Sequence, residues 1–460
     1  MGLSVALSGD AIINRRVSTC EDPGFRYLMG RFQEADIGFT HLETLFHDYD
    51  DPEVYPAAEA GGTWMRSAPE IVEELEWAGF NMVSHASNHA LDYAYGALES
   101  TWETLDAAGV DHAGTGRNLA EARTPTYRET SNGRVGLVSM TSSFTRWSKA
   151  GEARRDMQGR PGTNTLDTYY AASPEYIEMI REVAKAAGLW ITPGDDGEWL
   201  LNPPGIHNTI YRFVEDEDVD GMVRVTDESD RQGNLRAVAE SDRQADFTIA
   251  HVHTHEWDTD GDMSDPAPFL PPFARDCVES GADIVICQGS HAPLRGIELH
   301  EGSVIFYDPG DFFMMSDTVE RLPARFYDRY GAGPDRHPAE GMPGEGFAAR
   351  GVSSMFSEDE DADEDSDYGG KVESPPGGYF SGRVIGNIVP VCEFDNSGAL
   401  SSIELHPGYL RDSPTVYKGV PTRATGSKAR RIVEYVDDLS ETFDTRVSFD
   451  AEDEIGRVSL

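Results

Sequence analysis

The sequence predicts an α/β layered fold in which short buried strands alternate with amphipathic helices. Short apolar runs recur from the first residues onward, and segments with apolar side chains at helical spacing separate them. Polar residues able to bind metals or protons follow directly after several of these runs. Because layered α/β proteins place their sites at the carboxyl ends of strands, the same pattern predicts where a functional site lies.

The first third of the chain carries the clearest strand and helix signals. In the segment 69–78, Ile71, Leu75 and Ala78 share one helical face, and Gly79 is the expected end of that helix. The predicted strands of this part are 3–8, 37–42, 80–84 and 134–140, and the predicted helices are 25–34, 69–78 and 98–108.

Residues 141–244 are less regular, and we interpret them as an insertion or a cap near the site. One helix is expected at 174–187, whereas 190–220 is rich in glycine, proline, asparagine and acidic residues with little periodicity. Alternation then resumes, with a strand from Phe247, a helix at 271–279 and strands at 284–287 and 304–307.

The last part of the chain contains a dense acidic run and a helical end. Residues 357–378 combine like charges with almost no apolar content, which predicts a disordered acidic loop. We predict one domain over 1–412 and an acidic C-terminal extension over 413–460. The remaining expected elements are strands at 384–394 and 400–405 and a helix at 427–439.

The charge balance excludes some classes of partner. Acidic residues outnumber basic ones by 82 to 38, a formal net charge of -44, and this field repels nucleic acid and anionic membrane surfaces. The acidic excess is spread along the chain, which is typical of a surface adapted to high salt, and we expect a halophilic source. The sequence shows no signal peptide and no apolar run of about 20 residues, so we expect a cytoplasmic protein without a membrane span.

The most informative stretch lies between Asp246 and Phe313, where two strand-like runs each deliver histidine at their ends. His251, His253 and His255 are spaced by two, so an extended strand presents all three on one face. Imidazole is the commonest protein ligand of metals, which makes a metal site the preferred interpretation. A solvated polar strand end is the alternative.

Other polar residues follow strands in the same way and extend this set. Carboxylate, amide oxygen and imidazole groups together suit manganese, iron or zinc, and the set contains no thiolate of the kind found in structural zinc sites. The residues that follow predicted strands are Asp10, Glu43, Asn88, His89, Asp92, His251, His253, His255, Glu256 and His291.

These residues lie in motifs that resemble the CapA family of poly-gamma-glutamate capsule synthesis proteins. In chain order the motifs are G-D at 9–10, H-L-E at 41–43, A-S-N-H-A-L-D at 86–92, G-T-G at 114–116, R-P-G-T-N at 160–164, H-T-H-E-W at 253–257 and Y-D-P-G-D-F at 307–312. They keep the family's order and spacing from residue 3 to about residue 315. That family is similar in fold to calcineurin-like metallophosphoesterases, so the resemblance implies a β-sandwich flanked by helices, with metals at one end.

The resemblance also implies a role for each matching residue. His89 would contact or protonate the leaving group, and Asp92 would orient His89. The implied ligands, for one or two divalent ions, are Asp10, Glu43, Asn88, His253 and His291, with His251 competing with His253. The implied contacts to the substrate or around the ligands are His41, His251, His255, Glu256 and Arg160.

The chain departs from the family pattern at several of these positions. Metallophosphoesterases begin with D-x-H, but Ile12 stands where that histidine is expected. Gly289 stands where many relatives carry histidine, and His41 and Asp311 replace asparagines. The number of bound ions is therefore left open between one and two, and the additional imidazoles of this chain could compensate.

Together these features favour a divalent-metal hydrolase linked to capsule synthesis. Its expected substrate is anionic, either a phosphoester or a poly-gamma-glutamate polymer. The alternative is a non-catalytic accessory factor of a polymer-synthesis complex that binds its partners through a degenerate metal site. A nucleic-acid phosphoesterase is disfavoured by the net charge.

Overall fold

The computed structural model describes residues 2–60, 63–205, 211–258, 261, 263–291, 294–315, 319–329, 386–411 and 417–460. The acidic run 357–378, for which the sequence predicts a disordered loop, lies outside the described residues, as does the start of the strand predicted at 384–394.

The described strands are short, as the apolar runs of the sequence predict. They are β1 Ser4–Ile12, β2 Ile37–Leu42, β3 Met82–Ser84, β4 Asp111–Ala113, β5 Thr115–Gly116, β6 Thr126–Thr130, β7 Gly133–Thr141, β8 Gly162–Thr163, β9 Thr168–Ala172, β10 Trp190–Pro193, β11 Glu198–Asn202, β12 Tyr211–Glu215, β13 Met222–Thr226, β14 Phe247–His253, β15 Ile284–Gln288, β16 Ile297–His300, β17 Ser303–Phe306, β18 Phe313–Met314, β19 Asn387–Phe394, β20 Leu400–Leu410, β21 Pro421–Arg423, β22 Val447–Asp450 and β23 Ile455–Val458.

The helices lie between these strands, and several end at a glycine with positive φ, such as Gly109 after α3. They are α1 Pro23–Glu34, α2 Val72–Ala78, α3 Ala94–Ala108, α4 Leu119–Arg123, α5 Pro174–Ala187, α6 Glu228–Gln244, α7 Leu270–Glu279, α8 Ala324–Arg329 and α9 Gly426–Ser440.

Two large mixed sheets form the centre of the molecule. The first has the order β22-β23-β20-β19-β1-β2-β3-β4, with β18 and β21 paired to β1 and β20. The second has the order β16-β17-β15-β14-β7-β6. One continuous apolar core joins side chains of both sheets, for example Leu7 and Phe39 from the first with Leu137 and Ile249 from the second. The sheets therefore pack face to face as a β-sandwich.

Helices cover the outer face of each sheet. Phe25 and Leu28 of α1 and Leu75 of α2 pack on the first sheet, and Val238 of α6 and Phe273 of α7 pack on the second. Strands buried on both faces lose the alternation of apolar and polar residues, which is why the sequence shows continuous apolar runs. The predicted α/β layered class, with a metallophosphatase-like β-sandwich flanked by helices, is confirmed.

The segment predicted as an insertion contains a sheet of its own. Its strands run in the order β10-β11-β12-β9-β13, and α5 packs on this sheet through Ile177, which meets Ala172 and Phe213. The last part of the segment behaves differently, because α6 packs over β7 and β14 of the main sandwich. The sequence analysis missed these strands, since their partly exposed residues give neither apolar runs nor clean alternation.

The C-terminal region joins the main sandwich. The helix predicted at 427–439 is α9, and it packs in the sandwich core through Ile432 and Val436. Strand β23 pairs with β20 through Glu404 and Arg457. Residues on both sides of the predicted boundary at 412 thus share one sheet and one core. Within the described part of the chain, no helix is long and apolar enough to cross a membrane.

Candidate metal centre

Several strands of both sheets end at the same place, and their polar residues meet there. Asp10 lies near the end of β1, and Glu43 follows β2 directly. His253 is the last residue of β14, and His291 follows β15 by three residues. These four side chains, together with Asn88 after β3, form a buried cluster. The structure therefore brings together all five residues that the resemblance implies as metal ligands.

Asp10 lies at the centre of one half of the cluster. Its Oδ1 accepts a hydrogen bond from Gln288 Nε2 at 2.9 Å and lies 3.6 Å from His253 Nδ1. Its Oδ2 lies 3.7 Å from His291 Nδ1. Burial raises the pKa of the Asp10 carboxyl, although His291 and the Gln288 bond act in the opposite direction. Gln288 is a contact that the sequence analysis did not identify.

Glu43 is fully buried and lies among four imidazoles. Its Oε1 is within 3.9 Å of one ring nitrogen each of His89, His253, His255 and His291. Neither carboxylate oxygen has a hydrogen-bond partner among the residues that the structure describes. Burial, reinforced by the charge of Asp10, raises the pKa of Glu43 to about 8. A buried carboxylate in this state gains strongly from a nearby cation.

Asn88, His253 and His255 present their polar atoms to one point. Asn88 Oδ1 lies 2.9 Å from His253 Nε2, which in turn lies 3.1 Å from Nε2 of His255. Burial, together with neighbouring imidazoles, holds the pKa of both histidines well below the ordinary value. Both rings are therefore neutral near pH 7, which is the form that binds metals. His255, expected only around the ligands, thus lies as close to Glu43 as His291 does.

His89 forms a tight pair with Asp92. The distance between His89 Nδ1 and Asp92 Oδ2 is 2.6 Å, and the backbone N–H of Met65 also donates to Asp92 Oδ2, at 2.7 Å. Burial lowers the pKa of His89, but Asp92 and then Glu43 raise it by more, so that it lies above the ordinary value. The second ring nitrogen, Nε2, lies 3.8 Å from Glu43 Oε1. The pair therefore has the geometry implied for it.

His41 and His251 are stacked behind the cluster but at different depths. The His41 ring lies 4.5 Å from that of His253 and 4.8 Å from that of His251. His41 Nε2 lies 3.9 Å from Asp10 Oδ1, whereas His251 is held by Ser139 Oγ, 3.1 Å from its Nδ1. Of the two competing residues on β14, His253 is therefore the one that faces both carboxylates.

Asp311 joins the cluster beside His291. Its Oδ1 lies 3.0 Å from His291 Nδ1, and it raises the pKa of that histidine well above the ordinary value against the effect of burial. The sequence analysis noted Asp311 only as a departure from a glycine-asparagine motif and gave it no role. The signal that could have found it is chemical: a carboxylate stands where the family pattern has an amide, in the connection between β17 and β18.

Glu256 and Arg160 lie differently from the main cluster. Glu256 Oε2 accepts hydrogen bonds from Thr254 Oγ1, Ser142 Oγ and Ser143 Oγ, and its Oε1 accepts from Arg224 Nη1 at 2.6 Å. The guanidinium of Arg160 donates to the backbone carbonyl of Lys149 and is exposed. Two arginines do reach the loop of candidate ligands: Arg224, which the sequence analysis did not single out, and Arg295, whose Nη2 donates to the backbone carbonyl of Glu256 at 3.0 Å.

The residues of the cluster fit divalent metal ions. Ligand atoms lie within 4.8 Å of one another in three sets: Asp10, His41 and His253; Glu43, His255 and His291; and Asp10, His291 and Asp311. Buried ligand atoms without a hydrogen-bond partner, among the described residues, include both oxygens of Glu43, Nε2 of His41 and Nδ1 of His253. Unsatisfied buried polar groups are costly, and a cation at this cluster would satisfy them. The mixture of nitrogen and oxygen donors suits manganese, iron or zinc.

The two departures that remove an imidazole have structural counterparts. Ile12 is buried in an apolar cluster with Met65 and Met314. Gly289 has φ of 114°, and a Cβ atom there would lie 2.7 Å from Cε1 of His253. A side chain at 289 is thus incompatible with this position of His253.

Comparisons with known proteins agree with the motifs. The family model described as "Bacterial capsule synthesis protein PGA_cap" matches residues 4–316. An uncharacterized protein, y4sH, of Sinorhizobium fredii (strain NBRC 101917 / NGR234) is 32% identical over 466 residues, spanning 100% of this chain and 93% of that protein.

Two relatives with descriptive names are more distant. The capsule biosynthesis protein CapA of Bacillus anthracis is 20% identical over 318 residues, which cover 67% of this chain and 59% of that protein. The PGA biosynthesis protein CapA of Bacillus subtilis (strain 168) is 24% identical over 321 residues, which cover 67% of this chain and 63% of that protein.

Proposed function

We propose that this chain, which belongs to the bacterial capsule synthesis protein family PGA_cap, is a divalent-metal-dependent hydrolase. The observation that carries the proposal is Glu43. Its carboxylate is fully buried, has no hydrogen-bond partner among the described residues, and lies within 3.9 Å of four imidazoles. Such an arrangement is costly for a structural core and favourable for a cation site.

The proposed ligands come from both sheets. Asp10, His41 and His253 would hold one ion, and Glu43, His255 and His291 would hold a second, with Asn88 beside His253 and Asp311 beside His291. Bound Mn²⁺, Fe²⁺ or Zn²⁺ supplies Lewis-acid polarisation of a phosphoryl or carbonyl oxygen. The protein's part is to hold neutral imidazoles and buried carboxylates in fixed positions beside the reacting bond.

His89 is the proposed proton donor. Asp92 holds its Nδ1 and raises its pKa, which favours the imidazolium form with a proton on Nε2. Because Nε2 lies on the Glu43 side of the ring, that proton is available to a leaving group at the cluster. Asp92 fixes the tautomer and orientation of the ring.

The proposed substrate is anionic: a phosphoester or a γ-glutamyl polymer. The fold class supports the first, since the sandwich is metallophosphatase-like. The names of the two CapA relatives, which refer to capsule and PGA biosynthesis, support the second. Both chemistries require polarisation of an oxygen and protonation of a leaving group, so one cluster can serve either.

The experiment combines metal content with turnover. Metal content is measured by plasma mass spectrometry, and hydrolysis is measured on model phosphomonoesters, phosphodiesters and a γ-glutamyl oligomer across a KCl series. We compare wild type, His89→Gln and a control, His112→Gln, whose Nε2 lies 3.2 Å from Asp106 Oδ1 outside the cluster. We expect His89→Gln to keep its ions and lose about 10²- to 10⁴-fold in turnover, with His112→Gln unchanged. The proposal would be contradicted if the wild type bound no ions. It would also be contradicted if His89→Gln and His112→Gln had equal turnover.

A second candidate function is that of a non-catalytic accessory factor that binds a polymer through the same cluster. The observation that favours it is the loss of imidazoles at Ile12 and Gly289 relative to the implied family pattern. Under this alternative, wild type binds ions and a γ-glutamyl oligomer but turns over none of the substrates tested. The turnover assay therefore separates the two functions.

A further inference from the structure

A cavity lies between the sheet of the insertion and the loop that carries the candidate ligands. Its volume is about 320 Å³, and its walls come from β9, β12 and β13, the residues after β7, and Glu256. Arg146, Arg212 and Arg224 line it, together with three tyrosines. We call it the arginine cavity. Its volume falls in the range of sites for small organic ligands.

The charge of this cavity differs from that of the chain as a whole. Acidic residues outnumber basic ones by more than two to one over the sequence. In the lining of the arginine cavity three arginines face two carboxylates, Asp167 and Glu256. Arg212 is also paired with Glu198 and Asp227, which lie outside the lining. The cavity is therefore rich in guanidinium groups rather than in net positive charge, and an anionic ligand would be held by directed N–H donors.

The arginines are held in place while part of each guanidinium stays available. Arg146 bonds to Asp167 through Nη1, and its side chain is 54% exposed. Arg212 bonds to Glu198 through Nε and to Asp227 through Nη1, and its guanidinium carbon lies 4.2 Å from the centre of the Tyr169 ring. A guanidinium has five N–H donors, so these bonds orient each group without using all of it.

The competing explanation is that these ion pairs only fasten the insertion to the sandwich. Arg224 does serve that purpose, since it bridges Glu256 and the hydroxyl of Tyr170. Here, guanidinium and tyrosine groups border a cleft that is open to solvent. Arg146 and Arg212 pair with Asp167, Glu198 and Asp227, which belong to the same segment 141–244. Their ion pairs therefore do not join the insertion to the sandwich.

The wall of the cavity is continuous with the candidate metal centre. The hydroxyl of Ser143 accepts a hydrogen bond from the backbone N–H of His255 at 2.8 Å and donates to Glu256. The backbone N–H of Ser142 donates to the carbonyl of His253 at 2.9 Å. Both serines line the arginine cavity. A ligand in the cavity thus lies next to the loop that carries two of the candidate ligands.

We propose that the arginine cavity binds a carboxylate or phosphate group of an extended anionic substrate, next to the bond that reacts at the metal centre. That the anion belongs to a substrate rests on the proposed function, whereas binding of the anion to the cavity does not depend on it. Planar guanidinium groups recognise carboxylate and phosphate through paired N–H donors. The cavity would therefore select oligoanions over small neutral or singly charged esters.

The test measures binding in the absence of metal and turnover, so that its outcome is independent of hydrolysis. The metal-free chain, in EDTA and at the lowest KCl concentration that keeps it folded, is titrated calorimetrically with tri-γ-glutamate and with inorganic tripolyphosphate. The variants are Arg146→Gln and Arg212→Gln. The matched control is Arg154→Gln, an exposed arginine whose side chain pairs with Asp156. Circular dichroism confirms that each variant is folded.

We expect at least one of the two probes to bind, and both cavity variants to lose about tenfold or more in affinity while Arg154→Gln binds like wild type. The probe that binds more tightly identifies carboxylate or phosphate as the group recognised. If neither probe binds, or if Arg154→Gln weakens binding as much as the cavity variants, the proposal is wrong. Failed hydrolysis with normal probe binding would contradict the proposed function alone.

Discussion

Asp10 and His41 lie in register on the neighbouring parallel strands β1 and β2, with His41 Nε2 3.9 Å from Asp10 Oδ1. The similarity to metallophosphoesterases implies an imidazole two residues after the aspartate, where this chain has Ile12. Ser84 Oγ lies 2.9 Å from Nδ1 of His41, which directs Nε2 toward Asp10. We infer that His41 supplies from the adjacent strand the imidazole that β1 lacks.

Replacement of His41 should weaken one ion more than the other. His41→Ala removes one of three ligands from the set with Asp10 and His253, and we expect the affinity of one ion to fall at least about tenfold. Calorimetric titration with Mn²⁺ and Zn²⁺ measures both affinities. The control is His85→Gln, a buried histidine held near Thr115 and outside the three ligand sets. Equal affinities in wild type and His41→Ala would exclude His41 as a ligand.

Glu43 and Glu74 should respond in opposite ways to replacement by glutamine. Both are buried, but Glu74 accepts hydrogen bonds from the backbone N–H groups of Val17 and Ser18, whereas the oxygens of Glu43 have no partner among the described residues. In metal-free protein, we expect Glu43→Gln to raise the free energy of unfolding by about 1–3 kcal/mol and Glu74→Gln to lower it similarly. Denaturant titration in EDTA measures both.

Divalent ions should reverse the order of stability of wild type and Glu43→Gln. Wild type and Glu74→Gln should gain stability on addition of divalent ions, because ions bind the folded state, and Glu43→Gln should gain much less. Should Glu43→Gln destabilise the metal-free chain, the carboxylate would have a structural partner, and the cation site would lose its main support.

A glycine is needed at position 289 for two reasons: its positive φ, and the closeness of the His253 ring. Gly289→Ala places a Cβ 2.7 Å from His253 Cε1 at φ of 114°, whereas at Gly302, with φ of 90°, no atom lies within 4 Å of the added Cβ. Both alanines should cost about 1–2 kcal/mol of backbone strain. Only Gly289→Ala should also lower metal affinity, because His253 must move. Thermal unfolding of the two variants measures the backbone strain, and metal titration measures the effect of displacing His253. Equal metal affinities in the two variants would refute the displacement of His253.

The site was largely predictable from the sequence because its residues follow buried strands. Asp10, Glu43 and His253 each stand at or next to the end of an apolar run, and the sandwich brings those ends together. Asp311 was missed because its place beside His291 depends on the path of a loop. Arg224 was missed because it lies on a half-exposed strand of the insertion, where burial does not impose a readable pattern.

The C-terminal strands illustrate the same limit. Strand β23 pairs with β20, yet its four residues carry no signal that distinguishes them from a turn. The helix α9 was predicted, and the structure buries its Ile432, Val433 and Val436 on one face. Local periodicity therefore predicts elements that bury one full face. Short strands such as β23 form through tertiary pairing, which local periodicity does not reveal.

His406 should make the protein sensitive to mild acid. It is buried, its Nδ1 lies 2.9 Å from the hydroxyl of Tyr27, and burial, with Arg31 and Arg423, lowers its pKa to about 3. In the unfolded chain the imidazole of His406 is protonated below about pH 6.5. In the folded chain it is protonated only below about pH 3. Stability from this group is therefore complete above pH 6.5 and falls as the pH decreases, by about 2 kcal/mol at pH 5.

The variant His406→Gln isolates this contribution, because its amide oxygen can still accept from Tyr27 while the side chain does not titrate. Other buried histidines with lowered pKa, such as His47 and His85, affect both proteins equally and cancel in the difference. Free energies of unfolding, measured by denaturant titration from pH 7.5 to pH 5, should show wild type losing about 2 kcal/mol relative to the variant. Parallel curves over this range would mean that His406 is protonated in the folded protein, against its burial.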